Sequence, residues 1–209
     1  MPTRIHLWPA ETVLMPGTEI TLNPISASER AFLRHAFTER LSIGVVWRPN
    51  NKTLSRVGTI GFITEVTESH DGSYSVKVRG ARRFTLLELV KGAPTWLARI
   101  EYHDDIKDVS ARDPIVRQAI SGMENFRALV EQVDPLLVKN CHNDATLEET
   151  SFYCASQMVL QNEQKQKLLE MTSLKERFSE IIAMLRVETE TLRFLLDENI
   201  ERDPRVCLN

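Results

Sequence analysis

VGTIGFITEVTESHDGSYSVKVRGARRFTLLEL, residues 57–89, decides how this chain folds. At its centre Asp71-Gly72 stands between two β-prone runs, Thr64–Thr67 and Tyr74–Val78. Asp-Gly in that setting is the strongest short-range hairpin signal, because both residues tolerate the positive φ of a tight turn. The second run alternates. Tyr74, Val76 and Val78 point one way, and Ser73, Ser75, Lys77 and Arg79 the other, which predicts a strand with one buried and one wet face. Gly80 interrupts the run; Phe84, Leu86, Leu87 and Leu89 resume it.

The flanking sequence predicts more short strands. Arg4–Trp8, Thr12–Leu14, Glu19–Leu22 and Ile43–Trp47 are separated by Pro9, Pro16-Gly17, Pro24 and Pro49-Asn50-Asn51, and prolines at this spacing keep strands short and mark turns. Between them lies one helix, capped by Ser26 or Ser28, with Phe32, Leu33, Ala36, Phe37 and Leu41 as its buried stripe. Trp96–Tyr102 alternates again as a last strand. Strands this short and numerous predict a small antiparallel barrel.

Polar residues 103–114, ending in Asp113-Pro114, read as a linker that starts a helix. Everything beyond is helical in period. Val116, Ile120, Met123, Phe126, Val130 and Val133 make one stripe, ending at Asp134-Pro135. Thr146-Leu147-Glu148-Glu149 and Ser173-Leu174-Lys175-Glu176 are capping boxes. The first opens a helix through Phe152, Ala155 and Val159; Asn162 caps a short helix; the second box opens a long one. The long helix has a seam of Leu174, Phe178, Ile181, Leu185, Leu192 and Leu195, with Glu188 falling on it. That seam packs on the 115–133 helix or, in the sharper reading, on another subunit. The expected division is 1–108 for the barrel and 109–209 for the helical part.

Composition agrees with a folded domain: 209 residues, 42% hydrophobic, 26% charged, formal net charge -3. Residues 1–105 carry +2 and residues 106–209 carry -5, so the halves differ in character. An acidic balance argues against a broad nucleic-acid or membrane footprint. Three cysteines, Cys141, Cys154 and Cys207, predict a reducing compartment without a disulfide framework. The N-terminus lacks the apolar stretch of a signal peptide, and no run of about 18 apolar residues occurs. The expectation is a soluble cytoplasmic protein.

With these elements in order, the chain resembles the Lon protease N-terminal domain, the substrate-binding LON domain. Leu7-Trp8-Pro9 is similar to the family's "L-F-P" opening, and Val13-Leu14-Met15-Pro16-Gly17 to its "V-L-F-P-G". Val57-Gly58-Thr59, Asp71-Gly72 and Val78-x-Gly80-x-x-Arg83-Phe84 resemble "V-G-T", a "D-G" hairpin and "V-x-G-x-x-R"; Gln164–Leu169 and Leu174–Arg177 resemble the helical tail. Residues 20–30 depart from the family's "L-P-L-H-I-F-E-P-R-Y", so any role of its acidic residue does not carry over. The resemblance implies an α+β protein, a PUA-like antiparallel pseudo-β-barrel with one inserted helix followed by an all-α bundle. It implies a non-catalytic protein binding exposed hydrophobic or unfolded segments, in league with a separate protease or chaperone. An RNA-binding PUA-like module is the alternative.

The residues themselves offer little chemistry. No G-x-x-x-x-G-K-[ST] phosphate loop is present, so the expectation is a stand-alone LON domain without ATPase or peptidase, and no enzyme. Cys141-His142 with Cys154 matches no zinc spacing, and His103-Asp104-Asp105 with Asp108 lacks the order of a calcium loop. The expectation is no metal, no cofactor and no catalytic residue. The candidate partner-binding residues are Trp47 and Trp96, which suit an apolar segment, and the basic cluster Lys77, Arg79 and Arg82. Pro16, Gly17, Asp71, Gly72, Gly80 and Arg83 are structural motif residues, Arg83 tying down the hairpin through carbonyls. Nucleic acid is an unfavoured partner, a membrane is excluded, and homo-oligomers can form through the helical half.

Overall fold

Two long strands carry the architecture, and they are the two halves of the stretch quoted above. In the computed structural model, which describes residues 3–49, 53–68, 73–91, 96–133 and 145–202, they are β4 (Val57–Glu68) and β5 (Tyr74–Lys91). They pair antiparallel from Val57↔Thr85 to Glu68↔Tyr74, with irregularities after Ile60 and Ile63. The Asp71-Gly72 turn lies outside the described residues. The expected alternation is present: Tyr74, Val76 and Val78 are buried, while Lys77 and Arg79 are exposed.

Four further strands complete the sheet: β1 (Thr3–Ala10), β2 (Glu19–Leu22), β3 (Ser42–Trp47) and β6 (Trp96–Tyr102). The order β2-β5-β4-β3-β1-β6, with β6 returning to β5, closes β5-β4-β3-β1-β6 into a ring. One edge of β5 serves two partners in succession, β2 at Val76–Arg79 and β6 at Phe84–Lys91. β2 pairs with β5 alone among the described strands.

The sheet is mixed, which corrects the wholly antiparallel expectation. β1 and β3 run parallel, Leu7↔Gly44 to Ala10↔Trp47. Parallel neighbours need a long crossover. The chain makes it through β2 and helix α1 (Ala27–Thr38), so the helix that seemed an interruption is the connection that permits the pairing. Thr12–Leu14 is not a strand. Val13, Leu14 and Met15 are buried in irregular backbone, and the Leu14 carbonyl accepts the Thr59 hydroxyl at 2.6 Å.

The barrel side of the molecule has two apolar clusters, and β1 contributes to both by alternation. Ile5 and Leu7 join Val46, Phe84, Ala98 and Ile100. Ala10, with Trp8 against it, joins Leu33, Ala36, Ile43, Val45, Val76 and Val78. Helix α1 is capped by Ser26 in a full capping box with Glu29. Its buried face is narrower than the sequence stripe: Leu33 and Ala36 are covered, whereas Phe37 and Leu41 stay 42% and 44% exposed.

The chain divides into two units, Met1–Asp105 with Gln161–Thr172, and Ile106–Leu160 with Ser173–Asn209. The second crossing of the chain is where this differs from a single division at 108/109. Helix α4 (Asn162–Glu170) goes with the barrel, because its buried Gln166, Leu168 and Leu169 and its polar contacts belong there. Asn162 does not cap it; Gln161 is the N-cap residue.

The second unit contains α2 (Pro114–Val133), α3 (Leu147–Ser156) and α5 (Leu174–Arg202). Val116, Ala119 and Phe178 form its core with Val109, Ile115, Leu147 and Ile182. Thr146 and Glu149 make the expected capping box, and the Ser173 hydroxyl accepts the Glu176 amide at 3.0 Å. α3 stops at Ser156, leaving Val159 84% exposed. Arg177 is buried over the Phe152 ring at 4.4 Å and donates to Ser151 Oγ at 3.1 Å. Along the α5 seam, Leu174, Phe178, Ile181 and Leu185 are buried, and burial fades at Leu192 and Leu195. No helix among the described residues is long and apolar enough to cross a membrane.

Candidate functional site

The barrel unit carries a groove in two adjoining parts. The larger, about 650 Å³, is lined by His6–Thr12 of β1 and the turn after it, Thr21–Asn23, Ile25, Glu29, Phe32, Arg48 and Trp96. The second, about 570 Å³, is lined by Glu11, Trp47, Arg48, Pro49 and Gln161–Glu163. Glu11 and Arg48 border both parts.

Local sequence builds each wall. After β2, Pro24 is buried and the Ser26–Glu29 capping box fixes the start of α1. Glu29 Oε2 accepts the amides of both Ile25 and Ser26 at 2.9 Å, which holds the turn and leaves the Ile25 side chain 90% exposed at the groove. His6 and Phe32 meet as a tilted ring pair, centroids 5.3 Å apart. The Arg48 amide donates to the Ala10 carbonyl at 2.8 Å, and its guanidinium lies 5.6 Å from the centre of the Trp96 ring.

A residue distant in sequence braces the far wall. Asn162 Oδ1 accepts the Val13 amide at 3.2 Å and the Thr12 hydroxyl at 3.0 Å, and Nδ2 donates to the Glu11 carbonyl at 2.9 Å. One side chain thus satisfies three groups of the turn after β1 and sets the backbone that presents Glu11.

All three tryptophans of the chain, Trp8, Trp47 and Trp96, line this groove, each half-buried. Sequence reasoning singled out Trp47 and Trp96 and missed Trp8. A signal was available: Trp8 precedes Pro9, and Trp47 stands two residues before Pro49. Proline lacks a backbone donor and favours strand edges and turns, where a neighbouring large ring is seldom fully covered.

The basic residues of the sequence reading do not line the groove. Lys77 is paired with Glu65 at 2.7 Å, and that hydrogen bond raises the lysine pKa and lowers that of the carboxyl. Arg82 pairs with Asp104 at 2.6 Å and covers the Tyr102 ring at 3.9 Å. Arg79 is exposed on β5 opposite Phe62 and Glu19. The cluster is therefore largely charge-compensated and supports no RNA reading.

Two of the structural motif residues, Gly17 and Gly80, meet. Gly17 has φ +78° and donates to the Gly80 carbonyl at 2.9 Å; the Gly80 amide donates to the Thr18 carbonyl at 2.9 Å. The Pro16-Gly17 turn and Gly80 are thus one joint. Arg83 binds carbonyls at the end of α4: Nη1 donates to those of Leu169 and Met171, and Nη2 donates to the Asp105 carboxylate. The linker residues His103, Asp104, Asp105 and Asp108 are engaged separately. His103 bridges Thr85 and the Glu170 carbonyl, and Asp108 accepts from Ser173 and Lys175. Cys154 is buried in α3. Cys141, His142 and Cys207 lie outside the described residues. Among the described residues no three His, Cys, Asp or Glu side chains converge on a metal position.

The family described as the ATP-dependent protease La (LON) substrate-binding domain matches residues 5–187. A Lon protease of Flavobacterium johnsoniae is 27% identical over 94% of this chain and 26% of its own length. The chain thus spans about a quarter of that relative. A Lon N-terminal domain protein from Xanthomonas campestris superposes with a TM-score of 0.64 at 20% identity, covering 87% of this chain and 98% of that one. The N-terminal domain of a Mycobacterium avium complex Lon protease gives 0.67 at 20% identity, over 88% and 98%. At that identity the likeness is one of fold. The match over residues 5–187 shows the family: this chain belongs to the LON substrate-binding domains.

Proposed function

We propose that this protein binds exposed apolar segments of other polypeptides in the groove of its barrel unit, without transforming them. The observation that carries this reading is the gathering of every tryptophan of the chain, with the exposed Ile25, around one groove. Large amphipathic rings give contact area at low entropic cost, and an exposed aliphatic beside them gains most by being covered. β2 adds a second contribution. It has one neighbour among the described strands, and its Thr21 and Leu22 line the groove, so an extended segment can pair with its other edge. The family's description as a substrate-binding domain supports the reading, as does the PUA-like barrel that the resemblance implies. Cytoplasmic location and cooperation with a separate protease or chaperone belong to the same proposal.

Light scattering of a heat-denaturing client protein tests it, with tryptophan fluorescence reporting occupancy. Binding should suppress aggregation and perturb the emission. Ile25→Ser should weaken both effects while leaving the melting temperature in place, since that side chain packs on little. Unchanged aggregation and unchanged emission at a molar excess of protein would reject the reading.

A further inference from the structure

We infer that the groove selects apolar segments flanked by lysine or arginine over those flanked by acidic residues. The inference rests on the peptide-binding reading above and adds the chemistry of the occupant. Its ground is the charge that borders the groove. Three carboxylates line the two parts, Glu11, Glu29 and Glu163, against one guanidinium, Arg48. Glu29 accepts the two amides at the start of α1. Arg48 lies against Trp96, so its charge is partly occupied by the ring. Glu11 and Glu163 have no ion-pair partner among the described residues. His6 meets Phe32 as a tilted ring pair, centroids 5.3 Å apart.

Position matters as much as the count. Glu11 borders both parts of the groove, and Asn162 holds its carbonyl, so this carboxylate stands on a braced turn at the junction. Glu163 follows Asn162 in the first turn of α4 and borders the second part. A segment spanning both parts with an apolar side chain among the tryptophans passes its flanking residues beside these carboxylates. Lysine or arginine there gains an opposite charge; aspartate or glutamate meets repulsion.

Fluorescence anisotropy with three short labelled peptides tests this. They share one apolar core containing leucine and phenylalanine and are flanked by lysine, serine or glutamate. The lysine-flanked peptide should bind roughly tenfold more tightly than the glutamate-flanked one at about 50 mM salt, with serine between, two exposed charge pairs being worth about that factor. The gap should narrow at about 300 mM salt. Glu11→Gln with Glu163→Gln should bring the three affinities together, and Ile25→Ser should weaken all three alike. Equal binding of the three peptides overturns the charge preference and leaves the groove reading standing. A preference that survives the double substitution also overturns it, by placing the source elsewhere. No binding of any peptide rejects both.

Discussion

Arg83 and Asp105 form a buried ion pair, Nη2 to Oδ1 at 2.6 Å, with side chains 2% and 6% exposed. The other terminal nitrogen, Nη1, donates to the carbonyls of Leu169 and Met171, at 2.6 and 2.8 Å. A helix C-terminus leaves carbonyls unsatisfied, and here one arginine satisfies two at the end of α4 while neutralising a carboxylate. Arg83→Met should destabilise the protein by about 3–5 kcal/mol, because a buried charge loses its partner. Urea unfolding followed by tryptophan emission measures it. Adding Asp105→Leu should restore only part of the loss, since the two carbonyls stay unpaired. Full restoration would show that the carbonyl contacts contribute nothing.

Asn162 reaches back some 150 positions in sequence to brace the turn beside the groove. Asn162→Ala should cost about 1–3 kcal/mol, the range for leaving partly buried polar groups unmatched. Asn162→Asp keeps the acceptor for Thr12 and Val13 but faces the Glu11 carbonyl with an oxygen, so it should fall between. Amide chemical shifts of residues 11–13 should move in both variants. Shifts confined to α4 would show that the brace does not hold the turn.

Gly58 and Gly17 are required for different reasons, and alanine separates them. A Cβ at Gly58 would lie 2.5 Å from the Val45 carbonyl and 2.7 Å from the Phe84 ring. Backbone and core cannot yield there, so Gly58→Ala should cost about 1–3 kcal/mol or more through overpacking. At Gly17 nothing lies within 4 Å, and the cost comes from φ +78° alone, about 1–2 kcal/mol. Thermal melts compare them. Near-UV circular dichroism should change for Gly58→Ala, which displaces Phe84, and not for Gly17→Ala.

Asp108 sets an acid limit for the start of α5. Its carboxylate accepts from the Ser173 hydroxyl and the Lys175 amide, and the first of these does most to hold its pKa below the ordinary 3.8. A carboxyl with a lowered folded pKa contributes stability above its unfolded value and loses it as pH falls through the folded one. Between pH 7 and about pH 5 the contribution should therefore be constant, fading below about pH 4. Asp108→Asn should remove this low-pH dependence from the amide exchange of Lys175 and Glu176. An unaltered profile would assign the acid sensitivity to another group.

How far the sequence could be read depended on the range of the interaction. The capping boxes at Ser26 and Thr146 were legible because the partners are three residues apart. The burial of Tyr74, Val76 and Val78 was legible because alternation along a strand is local. The parallel pairing of β1 with β3 was not, since nothing in either strand states its neighbour's direction. Trp8 reads in the sequence as one more strand residue, though the residues that share its groove come from β2, the start of α1, Arg48 and Trp96 of β6. The α4 partners of Arg83 were hidden for a similar reason. Its family motif marks a fixed arginine, but the carbonyls it binds belong to a helix more than eighty residues on.

By itself the sequence determined the alternation of β5, the capping boxes at Ser26 and Thr146, and the family it resembles. These depend on backbone propensities and on side chains within a few residues of each other. Only the tertiary structure decided which strands close the ring, that α4 returns to the barrel, and that three tryptophans and three carboxylates border one groove. Those outcomes depend on the meeting of surfaces far apart along the chain, and no local pattern encodes which of several compatible surfaces will meet.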